Sequence, residues 1–170
     1  YTGKLNEKFG AKDLVDAFEE LSNPEYRLII CGKGDAEDYI TKKAKEDKRI
    51  QYLGQVTPNQ AKEIVEQADV LVNPRPNNEE YTKYSFPSKN IEYLVSGKPV
   101  VAYLLPGMPD CYKEYIYEIT DSISVTIESA INDSDENKLR KEEAAIEHLK
   151  TLTEKMVVKK IIEISFNPEK

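Results

Sequence analysis

Short apolar runs alternate with amphipathic stretches along most of the chain. The runs predict strands at residues 1–5, 27–31, 50–54, 69–73 and 98–103. Helices are predicted between them, one on the apolar stripe Leu14, Phe18 and Leu21 and others at residues 36–47, 58–67 and 87–96. Strand–helix–strand repeats with short connections are typical of a parallel sheet covered by helices on both faces. The pattern therefore predicts an α/β fold with a Rossmann-like open parallel sheet.

The last part of the chain has a different pattern. Residues 111–134 are mixed, and residues 135–164 carry apolar positions at helical spacing, which predicts one or two helices. The chain is therefore divided into a sheet-containing unit, residues 1–134, and C-terminal helices, residues 135–170.

Composition narrows the classes of protein. The 170 residues have a net charge of −7, which argues against nucleic acid as a partner. No apolar run approaches the ~18 residues of a membrane span, and no basic-then-apolar leader opens the chain. Cys31 and Cys111 are isolated and His148 is the single histidine, so neither a disulfide framework nor a zinc site is predicted. His148, in a predicted helix among Glu147 and Lys150, is interpreted as a solvated residue. A reducing, cytoplasmic setting fits these features.

Cations follow several of the predicted strands. Three strand ends carry them, at Gly3-Lys4, Gly32-Lys33-Gly34 and Asn73-Pro74-Arg75. Ligands of open parallel sheets bind beyond the carboxyl ends of the strands, so these loops are candidates for an anion site. Gly32-Lys33-Gly34 is neither a Walker loop nor a GxGxxG motif, which leaves an ATPase or a nicotinamide dehydrogenase unsupported. Arg75, between two prolines, can also be interpreted as a brace for its own loop.

The helix predicted at residues 87–96 adds a second reason to expect an anion. Pro87 suits the first helical position. Lys89 then falls in the first turn, where a cation opposes the helix dipole at a cost of roughly 0.3–1 kcal/mol. A bound phosphate would explain the lysine, because the N–H groups of a helix start bind anions and a lysine adds charge.

Taken together, the motifs resemble a known family, the retaining GT-B glycosyltransferases of the large family 4 type. The resemblance covers roughly residues 1–120 and points to the C-terminal, donor-binding half of such enzymes. The motifs that carry it are Gly3-Lys4-Leu5 with Lys8, Ile30-Cys31-Gly32-Lys33-Gly34, Ala68-Asp69-Val70 with Asn73-Pro74, and Lys89-x-x-Glu92-Tyr93-Leu94 with Ser96-Gly97-Lys98-Pro99. The variant Ser85-Phe86-Pro87-Ser88-Lys89 resembles the branch that makes bacterial capsules and exopolysaccharides.

The resemblance implies that the chain binds a nucleotide-diphosphate sugar as donor substrate. The diphosphate would be held by Lys4 and Lys8 beside Gly3 and Gly32, with Lys89 at the helix start, and the backbone amides around Phe86 and Ser88 would bind the distal phosphate. The backbone of the loop that contains Val56 would contact the base. Glu92 would accept hydrogen bonds from the ribose. No catalytic residue is assigned to this chain. Metal-independent transfer with no cofactor is expected.

Two features keep alternatives open. Glu92 is also explained as a solvated helix residue paired with Lys89 three positions earlier. The family pattern has a second glutamate eight positions before Glu92, where this chain has Tyr84; Glu79, Glu80 and the Tyr84 hydroxyl are the alternatives for its contact with the donor sugar. A sugar-nucleotide epimerase of the same architecture, and a non-catalytic nucleotide-sugar-binding or scaffold domain, therefore stand beside the transferase.

The resemblance also implies partners outside this sequence. The C-terminal helices would pack toward a missing N-terminal domain, which would bind a glycan or lipid-linked acceptor. The isolated chain would then be an inactive fragment. Any membrane contact would belong to that missing part, at the inner face of the membrane. The base, the sugar, the acceptor and the oligomeric state are not encoded in any motif of this chain.

Overall fold

A computed structural model describes the chain at residues 1–78, 80–84 and 88–166, with side chains described in those ranges except at 81, 84 and 154–166. Helices and strands alternate along it. The helices are α1 (Ala11–Glu20), α2 (Glu37–Glu46), α3 (Pro58–Gln67), α4 (Ser88–Val95), α5 (Ile123–Asn132) and α6 (Asp135–Phe166). The strands are β1 (Leu28–Ile30), β2 (Ile50–Tyr52), β3 (Leu71–Asn73), β4 (Val100–Ala102) and β5 (Tyr117–Glu118). Short 3₁₀ helices lie at Glu7–Phe9, Glu80–Tyr84 and Asp110–Glu114.

All strand pairs of the described chain are parallel. β1 pairs with β2, with Leu28 opposite Ile50, and a second sheet has the order β3–β4–β5, with Leu71 opposite Val100. The opening segment, residues 1–3, adds to the free side of β1 through a parallel bridge between Thr2 and Cys31. This is the predicted Rossmann-like open α/β fold.

The order in which strands are added along the sheet reverses between the two sheets. It moves from the opening segment to β1 and β2, and then crosses back to build the second sheet from β3. Gly10, soon after the opening segment, lies directly against Pro74, which follows β3; a Cβ on Gly10 would stand 2.1 Å from the Pro74 carbonyl oxygen. The edges formed by the opening segment and by β3 are therefore neighbours, and they define the switch point of the fold.

Alternate residues of the second sheet face two different helical layers. Val72 and Val101 belong to a buried cluster with α1, α5 and the residues of β1 and β2. Leu71, Val100 and Ala102 belong to a second cluster with α4 and α6. The two-residue period of a strand sends neighbours to opposite faces, so nearly continuous apolar runs are the expected sequence of such strands.

The structure corrects two expectations and resolves a third. The predicted opening strand is reduced to the single bridge at Thr2. His148 is not a solvated residue; its ring is half-buried and packs 5.4 Å from the ring centre of Tyr112 and 5.2 Å from that of Tyr115. The tail, for which one or two helices were predicted, is the single helix α6.

No helix in the described ranges is both long enough and apolar enough to cross a bilayer.

Candidate functional site

A cavity of about 190 Å³ lies at the switch point. Its lining comes from the opening segment and the residues that follow it, from the end of β3 and the loop after it, and from the first turn of α4. The lining residues are Tyr1, Gly3, Lys4, Phe9, Asn73, Arg75, Ser88 and Lys89. Three of them are cations, each from a separate element. The arrangement concentrates positive charge in a chain whose net charge is −7, and so favours an anionic ligand.

The floor of the cavity depends on a close approach between two strand ends. The Gly3 N–H donates to the Cys31 carbonyl at 3.0 Å. At Gly32, φ is 138°, and a Cβ there would stand 1.7 Å from the Gly3 carbonyl oxygen. Only glycine fits at position 32, because any side chain would push the opening segment away from β1. Lys4 is exposed beyond this junction, and its carbonyl accepts a hydrogen bond from the Tyr1 hydroxyl at 2.9 Å.

The first turn of α4 contributes Ser88 and Lys89. The Lys89 ammonium lies 2.5 Å from a carboxylate oxygen of Glu92, and the two side chains are 29% and 59% exposed. Lys89 also extends over the opening segment, since its Cε would be 3.8 Å from a Cβ on Gly3. Glu92 itself is outside the cavity lining and contacts Lys89, which lines the cavity.

Two buried contacts hold α4 in this place. The Thr2 N–H donates to the Tyr93 hydroxyl at 3.0 Å, and the Asn73 amide donates to the Asn90 side-chain oxygen at 2.5 Å. Burial raises the pKa of Tyr93 to about 12, so its hydroxyl keeps its proton at neutral pH.

Phe9 contacts two cations, Lys8 and Arg75. The Lys8 ammonium and the Arg75 guanidinium each lie 5.2 Å from the centre of the Phe9 ring, which is within the range of cation–π attraction. Arg75 is half-buried and lines the cavity, whereas Lys8 is exposed and outside the lining. Phe9 therefore contacts one cation that lines the cavity, Arg75, and one that lies outside the lining, Lys8.

The neighbouring Gly32–Gly34 loop is fixed by Glu37. One carboxylate oxygen accepts from the Gly34 N–H at 3.0 Å and the other from the Tyr52 hydroxyl at 2.9 Å. These two hydrogen bonds lower the pKa of Glu37. Burial and then the contact with Glu37 raise the pKa of Tyr52 to about 12. The loop is thus held in one conformation beside the opening segment.

The structure brings together part of the predicted site. Gly3, Lys4, Ser88 and Lys89 line the cavity. Four further predicted residues lie outside its lining, and they are Lys8, Gly32, Val56 and Glu92. Phe86 lies outside the described residues. The ligand roles of all nine residues stay predictions.

Sequence reasoning missed several residues of the lining. Tyr1, Phe9 and Asn73 had no role in the predicted site, and Arg75 was interpreted as either a strand-end cation or a loop brace. Asn73 and Arg75 carried a usable signal, because both stand at the end of a strand. Phe9 carried none, since its contact with the cavity cation Arg75 joins residues 66 positions apart in the sequence.

Within the described ranges, no group of three His, Cys, Asp or Glu side chains is arranged to hold a metal ion. Metal independence stays a prediction.

Parallel strands between helical layers, with a cationic cavity at the switch point, define a Rossmann-like domain with a candidate anion site. A sequence model described as "Glycosyl transferases group 1" matches residues 1–131. The chain belongs to this glycosyltransferase family. No curated protein sequence matches it.

Solved structures share the fold. The C-terminal domain of the glycosyl transferase group 1 family protein LpcC of Francisella tularensis has a TM-score of 0.68 at 16% identity, over 88% of this chain and 84% of that one. The catalytic domain of the cholesterol-alpha-glucosyltransferase of Helicobacter pylori has a TM-score of 0.68 at 19% identity, over 89% and 96%. Anabaena HepE, solved in complex with UDP and glucose, has a TM-score of 0.68 at 16% identity, over 95% and 47%. This chain thus spans about half of HepE.

Proposed function

We propose that this chain is the donor-binding domain of a glycosyltransferase and that it holds a nucleotide-diphosphate sugar in the cavity at the switch point. The observation that carries the proposal is the convergence of Lys4, Arg75 and Lys89, from three separate elements, on one cavity. Cations that line one cavity repel one another, and an anion bound among them would relieve this repulsion. The complexes of HepE with UDP and with UDP-glucose support the same class of ligand.

The diphosphate is assigned to Lys4 and Lys89, with Lys8 as a further cation. Ser88 lies at the start of α4, where backbone N–H groups and the helix dipole favour an anion. The Gly3–Gly32 junction brings backbone close to the ligand without a side chain in between. The loop that contains Val56 is assigned to the base.

Glu92 is assigned to the ribose hydroxyls. In the free protein its carboxylate binds Lys89. A diphosphate that binds Lys89 would compete with this ion pair and leave the carboxylate able to accept hydrogen bonds from the ribose. In this assignment the diphosphate and the ribose of the nucleotide are bound by the two members of one ion pair, Lys89 and Glu92.

The chemistry assigned to this domain is stabilisation of the departing diphosphate. Preorganised cations and helix dipoles act most strongly where charge develops in the transition state. We propose retaining, metal-independent transfer of a hexosyl group in capsule or exopolysaccharide synthesis. The glycan or lipid-linked acceptor is assigned to a partner domain, and the site of action to the cytoplasm, at the inner face of the membrane.

Calorimetric titration with UDP, GDP and ADP, each with and without Mg²⁺, tests the proposal. We expect saturable binding of one nucleotide, unaffected by Mg²⁺, and an affinity about tenfold or more lower in Lys89→Ala, since hydrogen bonds to charged groups are the strong ones. Lys113→Ala is the matched control, because Lys113 also faces an acid three residues away, at 3.9 Å from Asp110, but lies outside the cavity.

Binding that Lys89→Ala and Lys113→Ala weaken equally would show a general charge effect and contradict the site. A folded protein that binds none of the three nucleotides would contradict the proposed function itself.

A further inference from the structure

The opening segment is hydrogen-bonded as a strand on one side only. The Cys31 N–H donates to the Tyr1 carbonyl and the Gly3 N–H donates to the Cys31 carbonyl, both at 3.0 Å. In a parallel pair, alternate residues direct their N–H and C=O groups to opposite edges. The N–H and C=O of Thr2 therefore point away from β1, toward the edge where β3 would continue the sheet.

A side chain occupies that edge. The Thr2 N–H donates to the Tyr93 hydroxyl at 3.0 Å, and the same hydroxyl lies 3.3 Å from the Thr2 carbonyl oxygen, to which it can donate. Tyr93 is 1% exposed. Within the described ranges, β3 pairs with β4 alone and no backbone hydrogen bond joins it to the opening segment. The tyrosine hydroxyl thus satisfies both backbone groups that a neighbouring strand would otherwise satisfy.

The opening segment and β3 are the two edges of a gap between the sheets, and α4 also contacts the β3 edge. Asn90 is 1% exposed and accepts a hydrogen bond from Asn73, the last residue of β3. Asn90 and Tyr93 are three positions apart and so lie on the same face of α4. One helix face is therefore bonded to both edges of the gap. The turn that precedes these residues carries Ser88 and Lys89 into the cavity.

We propose that Tyr93 is a positioning residue for the anion site. Its hydroxyl replaces the hydrogen bonds that a neighbouring strand would make to the backbone of Thr2. This contact keeps the opening segment and β3 from pairing, and it fixes the first turn of α4 over the opening segment. The Lys89 side chain is thereby held beside Gly3, on the path of the diphosphate. This inference rests on the proposed function, since it concerns how the same cavity presents its cation.

Tyr93→Phe removes one oxygen atom and keeps the buried ring. The matched control is Tyr117→Phe, because Tyr117 is 8% exposed and its hydroxyl donates to Asp133 at 2.8 Å, outside the cavity. Both variants lose one buried tyrosine hydroxyl, with two hydrogen bonds to Thr2 in one case and one to Asp133 in the other, and urea unfolding checks that both stay folded. In titrations with UDP, GDP and ADP we expect Tyr93→Phe to bind the accepted nucleotide about five- to tenfold more weakly, and Tyr117→Phe to bind it as the wild type does.

A double-mutant cycle with Lys89→Ala separates positioning from loss of stability. If Tyr93 acts through Lys89, then Tyr93→Phe changes affinity far less in the Lys89→Ala background than in the wild type. Equal losses in both backgrounds, or wild-type affinity in Tyr93→Phe, would overturn the inference and leave the donor site standing. Failure of the wild-type protein to bind any of the three nucleotides would overturn the inference and the proposed function together.

Discussion

Lys89 has two structural features that need separate explanations, its position in the first turn of α4 and its extension into the cavity. Its place in the first turn of α4 is unfavourable for the helix dipole, and the structure gives it a partner, Glu92, at 2.5 Å. An exposed pair three residues apart contributes a few tenths of a kcal/mol at most, which is about the size of the dipole cost. The ion pair therefore accounts for the lysine in the free helix but not for its extension over Gly3 into the cavity.

Glu37 gives a pH-dependent prediction. Its pKa is lowered in the folded protein by the Gly34 N–H and then by the Tyr52 hydroxyl. A lowered pKa means that the contribution to stability is present above the unfolded-state pKa, about 4.3, and is lost as the pH falls through the folded value. We expect the free energy of unfolding of the wild type to exceed that of Glu37→Gln at pH 7, with the difference shrinking toward pH 3.

Urea unfolding at a series of pH values measures this difference. Glu63→Gln, at an exposed position of α3, controls for the loss of one negative charge. A stability difference between wild type and Glu37→Gln that is the same at pH 7 and pH 3 would show that the carboxylate charge is not what holds the Gly32–Gly34 loop.

At the scale of the element, local signals predicted most of the fold. Helix α3 begins and ends where predicted, at Pro58 and Gln67, because its start signal is contained in four residues: Thr57 caps the helix and Gln60 completes the capping box. Strands β1 to β4 were predicted at the right places but too long, since three residues of each pair in register where five or six were predicted. An apolar run indicates which residues are buried, and burial extends beyond the residues that are hydrogen-bonded to a neighbouring strand.

The rest depended on contacts between distant residues. The opening segment is not a full strand because the second edge of Thr2 is taken by Tyr93, 91 positions later. His148 is packed because Tyr112 and Tyr115 come to it from a separate element. In the site, strand-end cations such as Lys4 and Arg75 could be found from the sequence, whereas the contact of Phe9 with Arg75 could not.

The approach of α1 to the end of β3 gives a prediction for an element. Gly10 precedes α1 with φ at 79°, and a Cβ there would meet the Pro74 carbonyl oxygen at 2.1 Å. Gly54 has a similar φ of 67° with nothing within 4 Å of its Cβ position. Both alanine variants carry the left-handed backbone cost of about 1–2 kcal/mol, so only Gly10→Ala adds a clash with backbone. We expect Gly10→Ala to lower the free energy of unfolding by about 1 kcal/mol or more beyond Gly54→Ala.

Denaturant unfolding of the two variants under the same conditions makes this comparison. Equal losses would mean that α1 can move away from Pro74 without cost, and that the junction of the two sheet edges is not tightly packed.

At the scale of the whole molecule, two electrostatic effects on an anionic ligand oppose each other. The net charge of −7 repels a nucleotide diphosphate, and the cavity cations attract it. They differ in range. Salt screens charges farther apart than the Debye length, about 10 Å at 0.1 M. The cavity cations would touch the ligand, whereas acidic residues are spread over the molecule, including the exposed Glu143 and Glu147 of α6.

The short-range attraction should therefore dominate at ordinary ionic strength. We expect the affinity for the accepted nucleoside diphosphate to fall several-fold as salt rises from about 0.1 to about 0.5 M, because these exposed contacts weaken as screening increases. The corresponding nucleoside, which lacks phosphate, should bind weakly with little dependence on salt. Calorimetric titration of both ligands over this range gives the two slopes. A diphosphate affinity that rises with salt would mean that the net negative charge controls binding, and that Lys4, Arg75 and Lys89 do not contact the phosphates.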